Sequence, residues 1–215
     1  VLNHRLSAHV PEALPKISVV MPVYNPPIQF LEQAIASVRN QVYPNWQLCI
    51  ADDCSTDPAV AETLRKLAET DPRIHLHFRP QNGNISAATN SAAELAEGDF
   101  ILFLDNDDEL TPDALGEIAL YLAQHPETDI LYSDDDKIDT EGKRFAPQFK
   151  PNWSPELLLS YMYMGHALVV RHTLFDELGG FRLGYEGSQD YDFALRATEK
   201  ARQVGHIPLV LYHWR

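Results

Sequence analysis

Residues Ile17 to Asn25 read ISVVMPVYN, a short apolar and β-branched run that ends in Tyr24-Asn25-Pro26-Pro27. Such a run followed by two prolines predicts a strand passing into a turn, after which Leu31, Ala34, Ile35 and Val38 recur at helical spacing. The pattern then repeats along the chain. Strand Gln47 to Ala51, turn Asp52 to Pro58 and helix Ala59 to Glu69 form the second unit. Strand Ile74 to Phe78 and Asn82-Gly83-Asn84 lead into an Ala-rich helix ending near Ala96. Strand Phe100 to Leu104, an acidic turn, helix Pro112 to Gln124 and strand Ile130 to Tyr132 complete the regular part. Strands alternating with helices at this pitch predict right-handed crossovers and an α/β fold, a mostly parallel central sheet flanked by helices.

Ligands of such sheets bind beyond the carboxyl ends of the strands. Here those ends carry Tyr24-Asn25, Asp52-Asp53, Asn82-Gly83, Asp105-Asn106-Asp107-Asp108 and Ser133-Asp134-Asp135-Asp136, so polar and acidic residues gather on one edge. The second half is less regular. Pro155 opens a short helix behind Asn152-Trp153-Ser154, His166 to Val170 reads as a strand, and Leu174 to Leu178 as a helix stopped by Gly179-Gly180. A glycine-bearing loop, Gly184 to Ser188, precedes helix Asp190 to Ala201, and His206 to Tyr212 is the final strand.

The whole chain has 215 residues, 45% of them hydrophobic, and a formal charge of −14. That length buries roughly 70% of the unfolded surface, enough for a core without disulfide or metal staples. The negative charge, with no basic run longer than Lys143-Arg144, argues against binding nucleic acid or anionic membrane surfaces. Cys49 and Cys54 alone do not make a disulfide framework. No stretch reaches the 18 or so apolar residues of a membrane span, and residues 1 to 16 lack a signal-peptide core, so the cytoplasm is the expected compartment. Residues 1–16 read as a lead-in and 17–215 as a single domain. The absence of an initial Met and the apolar end at His213-Trp214-Arg215 suggest an excised piece of a longer protein.

Three carboxylates in the four residues Asp105 to Asp108 repel one another unless a cation or donors compensate, and hard divalent metals favour such oxygens. A solvated, helix-capping turn is the plainer alternative. Asp52-Asp53-Cys54-Ser55 has carboxylates suited to a base imide or a ribose hydroxyl, or to capping a helix. Asp190 opens a helix where the dipole stabilises its anion, and fits a general base as well as an N-cap. His213 in Tyr-His-Trp reads by itself as structural, and His166 beside Gly165 is a weaker candidate.

Together these residues resemble family 2 glycosyltransferases of the GT-A fold, over about Ile17 to Arg215. The resemblance rests on ISVVMPVYN, Asp52 to Ser55 (DDCS), Asn82-Gly83 with Asn90, Leu104 to Asp108 (LDNDD), Gly179-Gly180-Phe181, and Gln189-Asp190 with Asp192. Tyr132 to Ile138 (YSDDDKI), Phe149-Lys150-Pro151 and Tyr212 to Arg215 (YHWR) resemble bacterial enzymes of O-antigen and rhamnan-type surface polysaccharides. The resemblance implies a nucleotide pocket of Pro22, Tyr24, Asn25, Asp53 and Asn82, with Asp105 and Asp107 as the Asp-X-Asp motif. Asp107 and His213 would hold Mn²⁺ or Mg²⁺, and Asp190 would be the base. Gln189 stands where relatives usually have Glu, and Thr89 where many have Arg.

What this implies is inverting, metal-dependent transfer of a sugar from a UDP- or dTDP-sugar to a hydroxyl of a glycan or lipid-linked glycan, the latter placing the parent protein at the inner membrane. Two rivals are a nucleotidyltransferase, which would want a Gly-rich loop where Tyr24-Asn25-Pro26-Pro27 stands, and a non-catalytic nucleotide- or sugar-binding module of a multidomain glycan polymerase.

Overall fold

The computed structural model describes Leu2, Leu6 and residues 14–215. Most of the lead-in expected over residues 1–16 therefore lies outside the described residues. β1 (Ile17–Val23), β2 (Trp46–Asp52), β3 (Ile74–Phe78) and β4 (Phe100–Phe103) pair in parallel, in the order β3-β2-β1-β4. α1 (Ile28–Arg39), α2 (Pro58–Thr70) and α3 (Asn84–Ala93) cross between them. β1 is buried along its whole length. Its alternate side chains go to opposite layers, Val19 and Met21 to one core and Val20 to the other, as the pleat requires. α1 buries Leu31, Ala34, Ile35 and Val38, the stripe that its spacing predicts. α2 starts where Asp57 accepts a hydrogen bond from the Ala59 N–H at 2.9 Å, with Pro58 at the first helical position.

The second half of the sheet mixes directions. β5 (Glu109–Leu110) leads to α4 (Ala114–Gln124), and β6 (Thr128–Ile138) pairs in parallel with β9 (Gln203–Trp214). β8 (Leu168–Arg171) lies antiparallel between β4 and β6, β7 (Arg144–Gln148) antiparallel on β6, and β5 antiparallel on β9. Two short helices, α5 (Pro155–Leu158) and α6 (His172–Glu177), and the longer α7 (Gln189–Lys200) follow. Cys49 is buried, Cys54 is exposed, and both are free thiols. Among the described residues no helix is long and apolar enough to cross a membrane.

One expectation needs correction. Ser133 to Asp136 do not sit at a strand end, because β6 continues through them to Ile138, and all four are buried. The strand carries three buried carboxylates because each has its own cationic or protonatable partner. Asp134 lies 2.8 Å from His206 Nε2, Asp135 2.7 Å from Lys150 Nζ, and Asp136 2.7 Å from Arg144 Nη2 and 2.5 Å from His213 Nδ1. Buried charge persists where it is paired and hydrogen-bonded.

Candidate active site

The carboxyl ends of β1, β2 and β4 and the start of α3 enclose a cleft of about 340 Å³. Pro22, Tyr24, Asp53, Asn82, Asp105 and Asp107 all line it, six of the seven residues expected of a nucleotide pocket. Asn25, the seventh, is not in the wall. Its backbone is left-handed at φ 48°, its N–H donates to Ser55 Oγ at 3.0 Å, and its Oδ1 accepts from the Thr56 N–H at 2.9 Å. Asn25 therefore fastens the β1 turn to the β2 turn, and so fixes where Asp53 stands.

Asp53 is 2% exposed. Its carboxylate accepts from the Gly83 N–H at 3.0 and 3.1 Å and pairs with Arg79, while Asn82 Nδ2 donates to the Asp53 carbonyl at 3.2 Å. Arg79, just past β3, had no signal in the sequence beyond its place at a strand end. Gly83 must pass close to the Arg79 guanidinium, which a Cβ there would meet at 2.7 Å. Among the described residues no Lys, Arg or His side chain is in the cleft wall, whereas three carboxylates are.

The acidic turn after β4 divides its carboxylates between two surroundings. Asp108 is fully buried. Its Oδ2 accepts from the Tyr212 hydroxyl at 2.5 Å and its Oδ1 from the Arg215 N–H at 2.7 Å. Burial, and then the charge of Asp105, push its carboxyl up to about 8 against those two bonds. Burial and the Asp108 charge likewise hold Tyr212 well above the usual phenol range, so the tyrosine keeps its proton and donates it. Asp107 is raised by burial and by Asp105. Like charges held together in this way fit a divalent cation, which would lower all of these values at once. One ligand atom from each of Asp105, Asp108 and His166 lies within 4.8 Å of the other two. The His166 ring stacks on Tyr212 at 4.6 Å between centres.

That grouping includes neither Asp107 nor His213. His213 is buried with Nδ1 against the Asp136 carboxylate. A carboxylate behind one ring nitrogen is also the arrangement that orients metal-ligating histidines.

Asp190 stands in the first turn of α7 and accepts from the Tyr191 N–H at 2.8 Å. Asp192, two residues on, is held by Arg182 at 3.3 Å and Arg196 at 2.9 Å, so of the two it is Asp190 that has no basic partner among the described residues. Gln189 Oε1 accepts from the Gly187 N–H at 2.7 Å, closing the glycine-bearing loop with its amide. Phe193 of α7 packs with Phe103, Phe175 and Phe181, fixing α7 against β4. Asn90 clamps the Gly180-Phe181 turn by accepting from the Phe181 N–H at 2.9 Å and donating to its carbonyl at 2.8 Å. Gly180 has φ 69°, and a Cβ there would fall 2.5 Å from Asn90 Oδ1. Thr89 spends its hydroxyl on the Ile85 carbonyl within its own helix.

A cavity of about 100 Å³ joins these parts. Pro22, Ile85 and Asp105 are common to it and the cleft, and His166, Gln189 and Asp190 complete its far wall. Asp105 of the acidic turn and Asp190 thus both line this cavity.

The sequence matches the family described as Glycosyl transferase family 2 over residues 18–184. The chain belongs to this family. Among relatives of the glycosyl transferase family 2 chain, the O-antigen biosynthesis protein RfbC of Myxococcus xanthus is 43% identical over 201 residues, 94% of this chain and 16% of RfbC. The chain spans 16 to 22% of the length of the first curated relatives it matches. The fold of Staphylococcus aureus TarS 1-349 in complex with UDP superposes with a TM-score of 0.78 at 23% identity, over 92% of this chain and 60% of that one. The mannosyltransferase PcManGT from Pyrobaculum calidifontis in complex with GDP-Man and Mn²⁺ gives 0.72 at 19% identity, over 99% of this chain and 61% of that one. This family 2 chain is a glycosyltransferase domain with the GT-A fold.

Proposed function

We propose that this domain transfers a sugar, with inversion, from a UDP- or dTDP-sugar to a glycan hydroxyl in surface polysaccharide biosynthesis. The observation that carries the reading is the small cavity whose lining includes both Asp105 and Asp190. The nucleoside would occupy the cleft, its base meeting the Asp53 turn, and the reacting anomeric carbon the space between the two carboxylates. The acceptor oxygen forms a bond to that carbon as the bond to the diphosphate oxygen breaks. Asp190 takes the hydroxyl proton, and the electron pair leaves with the diphosphate. A positioned base is worth typically 10²- to 10⁴-fold.

A diphosphate entering this cleft meets three carboxylates and, among the described residues, no cationic side chain in its wall. Mn²⁺ or Mg²⁺ would supply the charge that the leaving diphosphate needs; Asp107 and His213 would hold it as the resemblance implies, and Asp105, Asp108 and His166 offer ligand atoms within 4.8 Å of one another beside them. The remaining work belongs to the chain's own groups. Asn106 Nδ2 donates to the Pro22 carbonyl at 3.0 Å and Arg215 Nε to the Asp107 carbonyl at 2.8 Å, holding the turn toward the cleft. The Mn²⁺-bound neighbour and the family membership support this reading. A lipid-linked acceptor would bring the parent protein to the inner membrane.

The substitution Gln189 favours the rival, a binding module without turnover. Calorimetry with UDP and dTDP, with and without Mn²⁺, followed by a donor-hydrolysis assay, separates the two. Metal-dependent binding with turnover supports the transferase, and binding without turnover supports the module. Asp107→Ala should weaken binding in Mn²⁺ far more than in EDTA, and equal losses in both buffers would remove Asp107 from the metal shell.

A further inference from the structure

A groove of about 660 Å³ shares Gly165, His166 and Asp190 with the small cavity. Its walls hold the Phe149-Lys150-Pro151 stretch that follows β7. Phe149, Tyr161 and Trp214 line it and are 76%, 54% and 43% exposed. Three large rings left this open around one concavity are a recognition surface, since an aromatic face gains by covering apolar ligand surface.

The charges in the wall are almost cancelled. Lys150 Nζ reaches Asp135 Oδ2, the Ser133 carbonyl and the Met164 carbonyl at 2.7 Å each, and also bonds the His166 carbonyl. Its side chain is 4% exposed, so this ammonium has no donor left for an anion. Asp135 Oδ1 is buried with no hydrogen-bond partner among the described residues. Asp190 adds a second carboxylate to the lining. Lys137 sits outside the lining, with its Nζ 4.6 Å from the centre of the Trp214 ring.

We propose that this groove is the acceptor site and that it takes a neutral sugar chain, hexose or 6-deoxyhexose residues stacked by their apolar faces on Phe149 and Tyr161, in preference to uronate-bearing chains. A carboxylate ligand would face the unpaired Asp190, and among the described lining residues the ammonium of Lys150 is already spent on Asp135 and three carbonyls. This deepens the transferase reading above and rests on it.

The test is binding of the chain, in UDP and Mn²⁺ and again without them, to neutral hexose and 6-deoxyhexose trisaccharides, each hexose sugar paired with its C6-oxidised uronate. Neutral members should bind, with uronate partners at least fivefold weaker. Phe149→Ala and Tyr161→Ala should each lower neutral-sugar affinity about tenfold while UDP affinity stays within twofold, and Phe149→Trp should restore binding to within threefold. Uronates binding as well as their neutral partners would overturn the proposal, as would alanine variants that bind like the wild type. So would donor hydrolysis that persists while no neutral trisaccharide binds. Loss of UDP binding with glycan binding intact would instead refute the donor reading and leave the groove assignment standing.

Discussion

Replacing Asp190 by Asn tests the base with little disturbance of the fold. The side-chain oxygen that accepts from the Tyr191 N–H survives, and no basic partner is abandoned among the described residues. What is lost is the interaction of an anion with the N-terminus of α7, worth about 0.3–1 kcal/mol. For a domain of this size that is a fall in Tm of no more than about 4 °C. Transfer should fall by about 10² to 10⁴, or roughly 2.7 to 5.4 kcal/mol of transition-state stabilisation. Donor affinity should hold within about threefold, since Asp190 is not in the cleft wall. Asp192→Asn is the matched control. It disrupts pairing with Arg182 and Arg196, so it should lower thermal stability while leaving turnover per folded molecule near normal. Steady-state transfer, UDP titration and thermal melts on the two variants give the comparison. Near wild-type transfer by Asp190→Asn, or a larger kinetic loss in Asp192→Asn, would refute the assignment.

Asp53→Ala should weaken UDP binding while leaving pyrophosphate binding in Mn²⁺ nearly unchanged. Equal losses for both ligands, read by calorimetry, would assign Asp53 to the fold of the turn instead of the base. Gly180→Ala forces a left-handed alanine against Asn90, at about 1–2 kcal/mol for the backbone alone, and should lower Tm by roughly 2–4 °C per kcal/mol; an unchanged Tm would contradict the clamp. Asp129 is nearly buried, and burial raises its carboxyl, but Arg202 and Arg171 outweigh this and hold it down at about 2, from 3.8. A depressed folded value stabilises above the unfolded pKa and is lost as pH falls through the folded one. The shift corresponds to about 2 kcal/mol. In urea denaturation, the stability gap between wild type and Asp129→Asn should be constant from about pH 8 to 5 and shrink below about pH 4; a gap that grows on acidification would contradict the pairing.

The first half of the fold was legible because period and punctuation agree there. β3 falls on Ile74–Phe78 as its spacing predicts, and α1 buries the four residues that mark its stripe. The sequence pattern ends β6 at Tyr132, because three consecutive aspartates look like a turn, whereas the strand runs on to Ile138. Nothing local says that Lys150, His206, Arg144 and His213 will neutralise them in a strand. β5 and β7 are too short, or too exposed, to leave a periodic signal. In the site, Pro22, Asp53 and Asp105 were legible as strand-end residues. Asn25 belongs to the pocket by resemblance, and the structure gives it the work of joining two turns. His166 was legible only as a histidine beside a glycine, since its place over Tyr212 depends on β8 and β9 coming together. Arg79 lacked a motif for the same reason, being defined by a carboxylate 26 positions away.

The central claim is that the acidic turn and Asp190 work on one sugar from opposite sides. The most direct test is to incubate the chain with UDP-, dTDP- and GDP-sugars and a neutral oligosaccharide acceptor, with and without Mn²⁺, and to follow the anomeric proton of the product by NMR. The account predicts metal-dependent transfer from a UDP- or dTDP-sugar, with the new linkage opposite in configuration to the donor and lost in Asp190→Asn. A product that retains the donor configuration, or equal transfer in EDTA, would contradict it.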